Sequence, residues 1–247
     1  MAKRPSRPAP RKARATARTS RRGPLGWAVF IALRSVTVLI LGTLALVVLT
    51  AFVNPPTNLY MWSESRRLGG VQQDWVALDE IAPVMARSAV AAEDANFCLH
   101  WGFDVVAIRA ALEDGGTRGA STISQQVVKN VFLWQGRSWL RKALEAGYTV
   151  LLELLLDKRR ILELHLNIAE YGRGVYGVEA AAQRYFGRDA GQLGRRQAAL
   201  LVTALPNPRR RRLDAPGPAM RARQDWVLRQ MANLGGTAWL ARLDPTR

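Results

Sequence analysis

The chain has 247 residues, with 36 Lys or Arg against 19 Asp or Glu, two His and a single Cys, for a formal charge of +17 at pH 7. One cysteine, Cys98, excludes an internal disulfide, and two histidines far apart in sequence argue against a zinc site built on them. Ten of the basic residues precede residue 35, so the remainder carries a surplus of only +7, which suits an anionic membrane surface or an anionic lipid substrate and gives no ground for a nucleic-acid partner.

Residues 1–26 contain nine Lys or Arg, no acid, and scattered Pro and Ser. No core forms from that composition, and a disordered basic cytoplasmic tail is expected. Residues 27–53 are apolar, broken only by Arg34 and by small or hydroxyl side chains. The clean stretch from Ser35 to Val53 is 19 residues, roughly the helix length that crosses the ~30 Å hydrocarbon core of a bilayer. Arg34 falls near the cytoplasmic end, where its stem can snorkel. The stretch is longer than the ~7–15 residues of a signal-peptide core and no A-x-A site follows it, so an uncleaved anchor is predicted. The basic tail sets the N-terminus inside and residues 54–247 on the far side of the membrane.

The roughly 190 residues beyond the span suffice for one compact domain. Asn54-Pro55-Pro56-Thr57-Asn58 breaks the membrane helix, and Leu59–Val76 reads as a mixed linker with Trp75 near the membrane interface. Helices are predicted over Ile81–Asn96, Val105–Leu112, Ser121–Leu133 with Ser121 near its cap, and from a Ser138 cap to Leu156. Further helices are predicted over Asp157–Ile168, Val178–Tyr185, Gln197–Ala204 and Ala219–Leu234. The loop Asp114–Gly119, the turn Gln135–Arg137, the glycines 172, 174 and 177, and Pro206-Asn207-Pro208 punctuate them. No strand pattern of any length is legible and no internal repeat, so the fold class is mostly α.

Three polar clusters carry candidate chemistry. In the first, Glu93 ends an Ala-rich apolar helix. A half-buried carboxylate there resists ionisation and approaches the range of a useful base, whereas an ordinary solvated Glu-Asp pair is the competing reading. Asp94 shares no face with Glu93 and caps or pairs within the break, and His100 lines the same side as Glu93 if the helix continues. Cys98, although two residues from His100, reads as a small buried side chain rather than a nucleophile. In the second cluster, Thr122, Gln126 and Lys129 fall on one helical face, with Ser121 and Gln125 beside them. The glutamines fit sugar hydroxyls or amides and Lys129 fits a phosphate, against the plain alternative of a solvated polar face. In the third, Arg141 and Glu145 are spaced for a helix salt bridge worth ~0.2–0.5 kcal/mol, or with Lys142 for a cationic patch facing a diphosphate.

Taken together these clusters resemble the family-51 glycosyltransferases, the peptidoglycan transglycosylases, and within them the monofunctional biosynthetic branch. The pattern EDxxFxxHxG is Glu93–Gly102, GxSTIxQQxxKN is Gly119–Asn130, and RKxxE is Arg141–Glu145. ILExxLNxxxxG is Ile161–Gly172, followed by Gly177 and Ala180-Ala181. The likeness covers roughly Val84–Gly187, and His165 stands where the family usually has tyrosine.

The resemblance implies a two-lobed, lysozyme-like periplasmic domain whose smaller lobe, roughly Gly102–Arg118, lies against the membrane. It implies a growing glycan on undecaprenyl diphosphate as donor and lipid II, the disaccharide-pentapeptide on the same carrier, as acceptor. It places Glu93 as general base and Glu145 as second essential acid. Lys129, Arg141 and Lys142 surround the donor diphosphate, and Ser121, Thr122, Gln125, Gln126 and Asn130 support the donor cleft. Asp94 and His100 shape the acceptor side. Mg2+ or Mn2+ accompanying the donor diphosphate is expected, with no organic cofactor. The bacterial inner membrane, and division or elongation proteins, are the expected surroundings. Too few residues follow Gly187 for a transpeptidase domain, so cross-linking is expected from other proteins. Glycan hydrolysis, and a non-enzymatic membrane-tethered scaffold or nucleic-acid binder, are the rival readings.

Overall fold

The computed structural model describes residues 23–115, 119–136, 138–234 and 243. The tail expected over 1–26 lies almost wholly outside the described residues, as do residues 116–118 of the expected loop and Arg137 of the expected turn. Residues up to Thr43 and those from Leu44 onward form two separate units.

Helix α1, Pro24–Phe52, has a mean hydropathy of 2.4 over its most apolar 18 residues and is long and apolar enough to cross a membrane. Side chains such as Val38 and Leu39 are exposed along it, as lipid-facing residues must be. Its last turns belong to the second unit. There Val47 and Thr50 are buried, and Arg160 Nε donates to the Thr50 carbonyl at 2.9 Å.

The expected linker over 59–76 is instead built structure. Asn58 Oδ1 accepts from Met61 N at 2.8 Å and starts helix α2, Leu59–Leu68, which Gly69 ends in the left-handed region. The helix was obscured because it is short and polar and buries only Met61 and Glu64. Trp75, expected at the membrane interface, is half-buried with the Arg160 guanidinium 5.4 Å from its ring centroid.

Strand β1, Gln72–Gln73, follows, then a 3-10 turn at Leu78–Glu80 and helix α3, Pro83–Glu93. Pro83 opens α3 where its missing N–H costs nothing, and Met85, Ala86, Ala89 and Val90 bury its inner face. Helices α4 (Val105–Glu113), α5 (Ile123–Phe132), α6 (Trp139–Leu155) and α7 (Lys158–Ile168) come next. Asp104, Thr122, Ser138 and Asp157 cap them in turn, so the cap of α5 is Thr122, one residue after the Ser121 expected near it. Strands β2 (Glu170–Gly172) and β3 (Val175–Tyr176) precede α8 (Val178–Phe186), α9 (Arg195–Ala204) and α10 (Pro218–Asn233).

The strands form one small sheet in the order β1-β3-β2, parallel between β1 and β3 and antiparallel between β3 and β2. Two or three residues each is too short for an alternating pattern to be read from sequence. Gly177 ends the sheet at φ 82, where an added Cβ would lie 2.9 Å from the Asn167 carbonyl.

The core gathers Phe97, Ile123, Val127, Leu152, Ile161, Leu164 and Leu201, all without solvent contact. Each such large apolar side chain contributes roughly 1.5–3 kcal/mol by leaving water. Helix α5 packs between α6 and α7, and α3 packs against α9 and α10. The polar end of α3 is thereby brought to the first turns of α5. On α4, Val105, Val106 and Leu112 remain exposed.

Candidate active site

Glu93 is the last residue of α3, because Asp94 leaves the helical region at φ −161. Its half-buried carboxylate accepts a hydrogen bond from Gln126 Nε2 of α5 at 3.0 Å. Burial raises its pKa above the ordinary carboxylate value. The Gln126 hydrogen bond and the charges of Arg223, Arg211 and Lys129 pull in the opposite direction. A carboxyl group so held is a proton acceptor of enhanced basicity.

Asp94 turns away from Glu93 and is buried. One oxygen accepts from the backbone N–H of Ile123 at 2.9 Å, and His100 Nε2 lies 2.9 and 3.1 Å from the two oxygens. Asp94 thus fastens the end of α3 to the start of α5. His100 does not share a face with Glu93, since the helix that would have aligned them stops. It faces Asp94, with its ring 6.4 Å edge-on from Phe97. Cys98, expected to be buried, is half-buried against the core.

Thr122 and Gln125 are buried in a capping box. Thr122 Oγ1 accepts from Gln125 N at 3.2 Å, Gln125 Oε1 accepts from Thr122 N at 3.0 Å, and Thr122 Oγ1 donates to the Gly102 carbonyl at 2.7 Å. These polar groups are spent on starting α5, whereas Gln126, Lys129 and Asn130 further along it are half-buried and line a cavity. Ser121 is exposed one residue ahead of the cap.

On α6, Glu145 is 2% exposed. Arg141 Nη1 contacts Glu145 Oε2 at 2.5 Å, Lys142 Nζ contacts Oε1, and Arg141 Nε donates to the Gly136 carbonyl at 2.8 Å. The helix salt bridge and the cationic patch are therefore one arrangement. Lys129 makes no ion pair within 4 Å among the described residues. Burial lowers its pKa, Glu145 and Glu93 raise it, and Arg141 and Lys142 lower it further. All four groups lie within its electrostatic reach.

Glu93 and Gln126, joined by their hydrogen bond, line different cavities. One, of about 190 Å³, is lined by Gln126, Lys129, Asn130, Tyr60, Glu170 and Tyr176. The other, of about 410 Å³, is lined by Glu93, Asp94, Asn96, Ser121, Thr122 and Trp226. Base and lysine therefore open on different cavities, joined through one hydrogen bond.

Several residues here were missed in the sequence. Tyr60 donates to Glu170 Oε2 at 3.0 Å, and burial raises the pKa of Glu170. Arg223 Nη2 donates to the Ala92 carbonyl at 3.3 Å, and its guanidinium sits 3.7 Å from the Trp226 ring centroid. Arg211 donates to the Thr203 carbonyl. The run Arg209–Arg212 marked a basic segment without giving the direction of any member, and nothing in the spacing of α10 set Arg223 apart.

Among the described residues no three His, Cys, Asp or Glu side chains converge as a metal site. Both Glu145 oxygens already hold a cation, so this carboxylate is poorly fitted to ligate a divalent ion. The arrangement sets a carboxylate of raised pKa on one cavity and a lysine on the other, with the Arg141–Lys142–Glu145 cluster within electrostatic reach of that lysine.

The family described as Transglycosylase matches residues 63–232. The chain is 56% identical over 206 residues to a protein of Jannaschia sp. (strain CCS1) called biosynthetic peptidoglycan transglycosylase, with 83% of each chain covered. It is 49% identical over 230 residues to the protein of that name from Pectobacterium atrosepticum, covering 88% of this chain and 94% of the relative. The Escherichia coli O127:H6 protein of the same name is 55% identical over 172 residues, covering 68% and 71%.

Proposed function

The chain belongs to the transglycosylase family, the family-51 peptidoglycan glycosyltransferases in their biosynthetic branch, and from that membership we propose a specific reaction for this enzyme. It polymerises glycan strands from lipid II. The donor is the strand carried on undecaprenyl diphosphate, and the acceptor is the 4-hydroxyl of the N-acetylglucosamine of an incoming lipid II.

Glu93 takes the proton of that hydroxyl. The freed oxygen forms a bond to C1 of the donor muramyl sugar from the face opposite the diphosphate. The C1–O bond to the diphosphate breaks with inversion from α to β, and undecaprenyl diphosphate leaves with the electron pair. A leaving diphosphate needs its charge met more than it needs a proton, which suits Lys129, Arg141 and Lys142. Glu145 orients Arg141 and Lys142. Gln126 orients Glu93, Asn130 and Ser121 line the cavities, and Asp94, His100, Thr122 and Gln125 hold the two helices in register. Any Mg2+ or Mn2+ would enter as a companion of the substrate diphosphate.

The observation that carries this reading is the hydrogen bond from Gln126 to Glu93, which links the cavity lined by Glu93 to the one lined by Gln126 and Lys129. Two bound substrates need such a division, with the base reaching one and Lys129 the other. The basic tail favours a cytoplasmic N-terminus, with the enzyme domain in the periplasm. Holding the cleft at the bilayer raises the effective concentration of a lipid-borne reactant.

The test is conversion of lipid II to polymer with release of undecaprenyl diphosphate by the purified full-length chain. Failure of the wild type to consume lipid II, or release of soluble fragments from intact sacculi in its place, overturns the proposal.

A further inference from the structure

A third cavity, of about 420 Å³, is distinct from the two lined by Glu93 and by Lys129. Arg173, Arg184, Arg211 and Arg212 line it, with Tyr185 and Asp214. Four guanidinium groups around one carboxylate make an uncompensated cationic hollow. Arg212 is held by Asp214, with Nη2 2.9 Å from Oδ2, and Arg211 is fixed by donating to the Thr203 carbonyl. Arg173 and Arg184 make no ion pair within 4 Å among the described residues, so their donors are available to a ligand.

Tyr185 is seated by close packing. An added Cβ on Gly172 would fall 1.9 Å from the Tyr185 hydroxyl, so only glycine admits the ring there. Burial and the Asp214 charge raise the pKa of Tyr185, which keeps the hydroxyl protonated as a donor.

The wall between this hollow and the smaller catalytic cavity is thin. Pro208 lines both, and of the two residues of β3, Tyr176 faces the catalytic cavity while Val175 faces the hollow. We propose that the hollow is a carboxylate-binding site that takes the acidic end of the peptide borne by the glycan substrate, one wall away from the cleft that holds the sugars. The proposal rests on the polymerase reading above for the identity of the peptide. The substrate diphosphate already has Lys129, Arg141 and Lys142, which leaves peptide carboxylates as the anions without a partner. A peptide of five residues spans up to roughly 17 Å, enough to pass from a sugar over that wall. Guanidinium forks bind carboxylates in paired hydrogen bonds, which suits Arg173 and Arg184 at a solvent-open rim.

The experiment uses the full-length chain and the variant Arg173→Ala/Arg184→Ala, neither residue being part of the catalytic machinery. Initial rates are measured with lipid II and with lipid II whose peptide carboxylates are converted to amides. The double variant is expected to raise KM roughly three- to tenfold for the acidic substrate with kcat unchanged, and to leave KM for the amidated one unaltered. An equal rise for both substrates, or none for either, overturns the proposal.

A second arm is independent of turnover. Binding of the soluble disaccharide-pentapeptide, which lacks diphosphate, is followed by titration calorimetry. Weaker binding by the double variant supports the site even if polymerisation fails. Equal binding overturns it, as does displacement of the peptide fragment by equimolar pyrophosphate, which would make the hollow a phosphate site.

Discussion

The side-chain amide of Gln126 donates to the carboxylate of Glu93 at 3.0 Å, joining the last residue of one helix to the second turn of another. Burial pushes the Glu93 proton affinity up, and this bond, together with Arg223, Arg211 and Lys129, restrains it. The catalytic proposal reduces to that balance.

Glu93→Gln is expected to lower lipid II polymerisation by at least the ~10²–10⁴-fold associated with a positioned general base. The fold should be as stable as the wild type or more so, because the substitution removes a charge that burial disfavours. Rates and the urea midpoint of the same preparation check both halves. Wild-type turnover by this variant sinks the assignment.

Gln126→Ala removes a bond that favours the charged carboxylate, so the pKa of Glu93 rises further. The base acts when deprotonated, and activity climbs as pH passes upward through that pKa. The acidic limb of the kcat/KM profile is therefore expected to move to higher pH in the variant. An unmoved limb separates Gln126 from the base.

Lys129 has its pKa lowered by burial, so it loses its charge at a lower pH than a solvated lysine. A loss of rate on the alkaline side is expected, carried by donor handling. Lys129→Arg, which stays charged, should shift that loss upward by a pH unit or more while retaining part of the rate, and Lys129→Ala should weaken donor use at every pH. The pH-rate profiles of the two variants side by side decide it.

Asp94→Ala strands the Ile123 N–H and the His100 ring where water does not reach them. Each buried group left without a partner costs about 1–3 kcal/mol. A fall in unfolding free energy of that order is expected by urea titration, and no fall would show that the junction of α3 and α5 does not depend on this carboxylate.

His165 is fully buried, with neither ring nitrogen hydrogen-bonded among the described residues, and burial and the Lys129 charge lower its pKa to about 4. The unfolded chain takes up that proton near 6.5, so stability is intact above that value and is lost as pH falls toward 4. The loss reaches about 3 kcal/mol at the lower end. His165→Tyr is expected to abolish this contribution, and urea midpoints at pH 4.5 and 7.5 for both proteins test it.

The helices were legible wherever an apolar stripe met a cap, as at Pro83, Ser138 and Asp157. Helix α2 was hidden because its polar residues gave no stripe, although Asn58 stood at its start. Adjacent hydroxyls at 121 and 122 blurred one cap, which the three-residue spacing from Thr122 to Gln125 would have resolved. The motif glutamates and cations were visible as residue types in order along the chain. The contributions of Tyr60, Glu170, Arg211 and Arg223 depend on contacts across many residues, which no local pattern encodes. The approach of Asp94 to Ile123 was hidden for the same reason.

The internal pairing of Glu145 with Arg141 and Lys142 bears on how often the site can be reused. Cations that stood bare would grip a departing polyanion and stay clogged with product. On the proposed reaction, because these two already have an occupant on their own helix, an arriving diphosphate would be taken on by exchange, and the carboxylate would reclaim its neighbours as the product leaves. A polymerase that repeats one step along a strand gains from such a reversible grip.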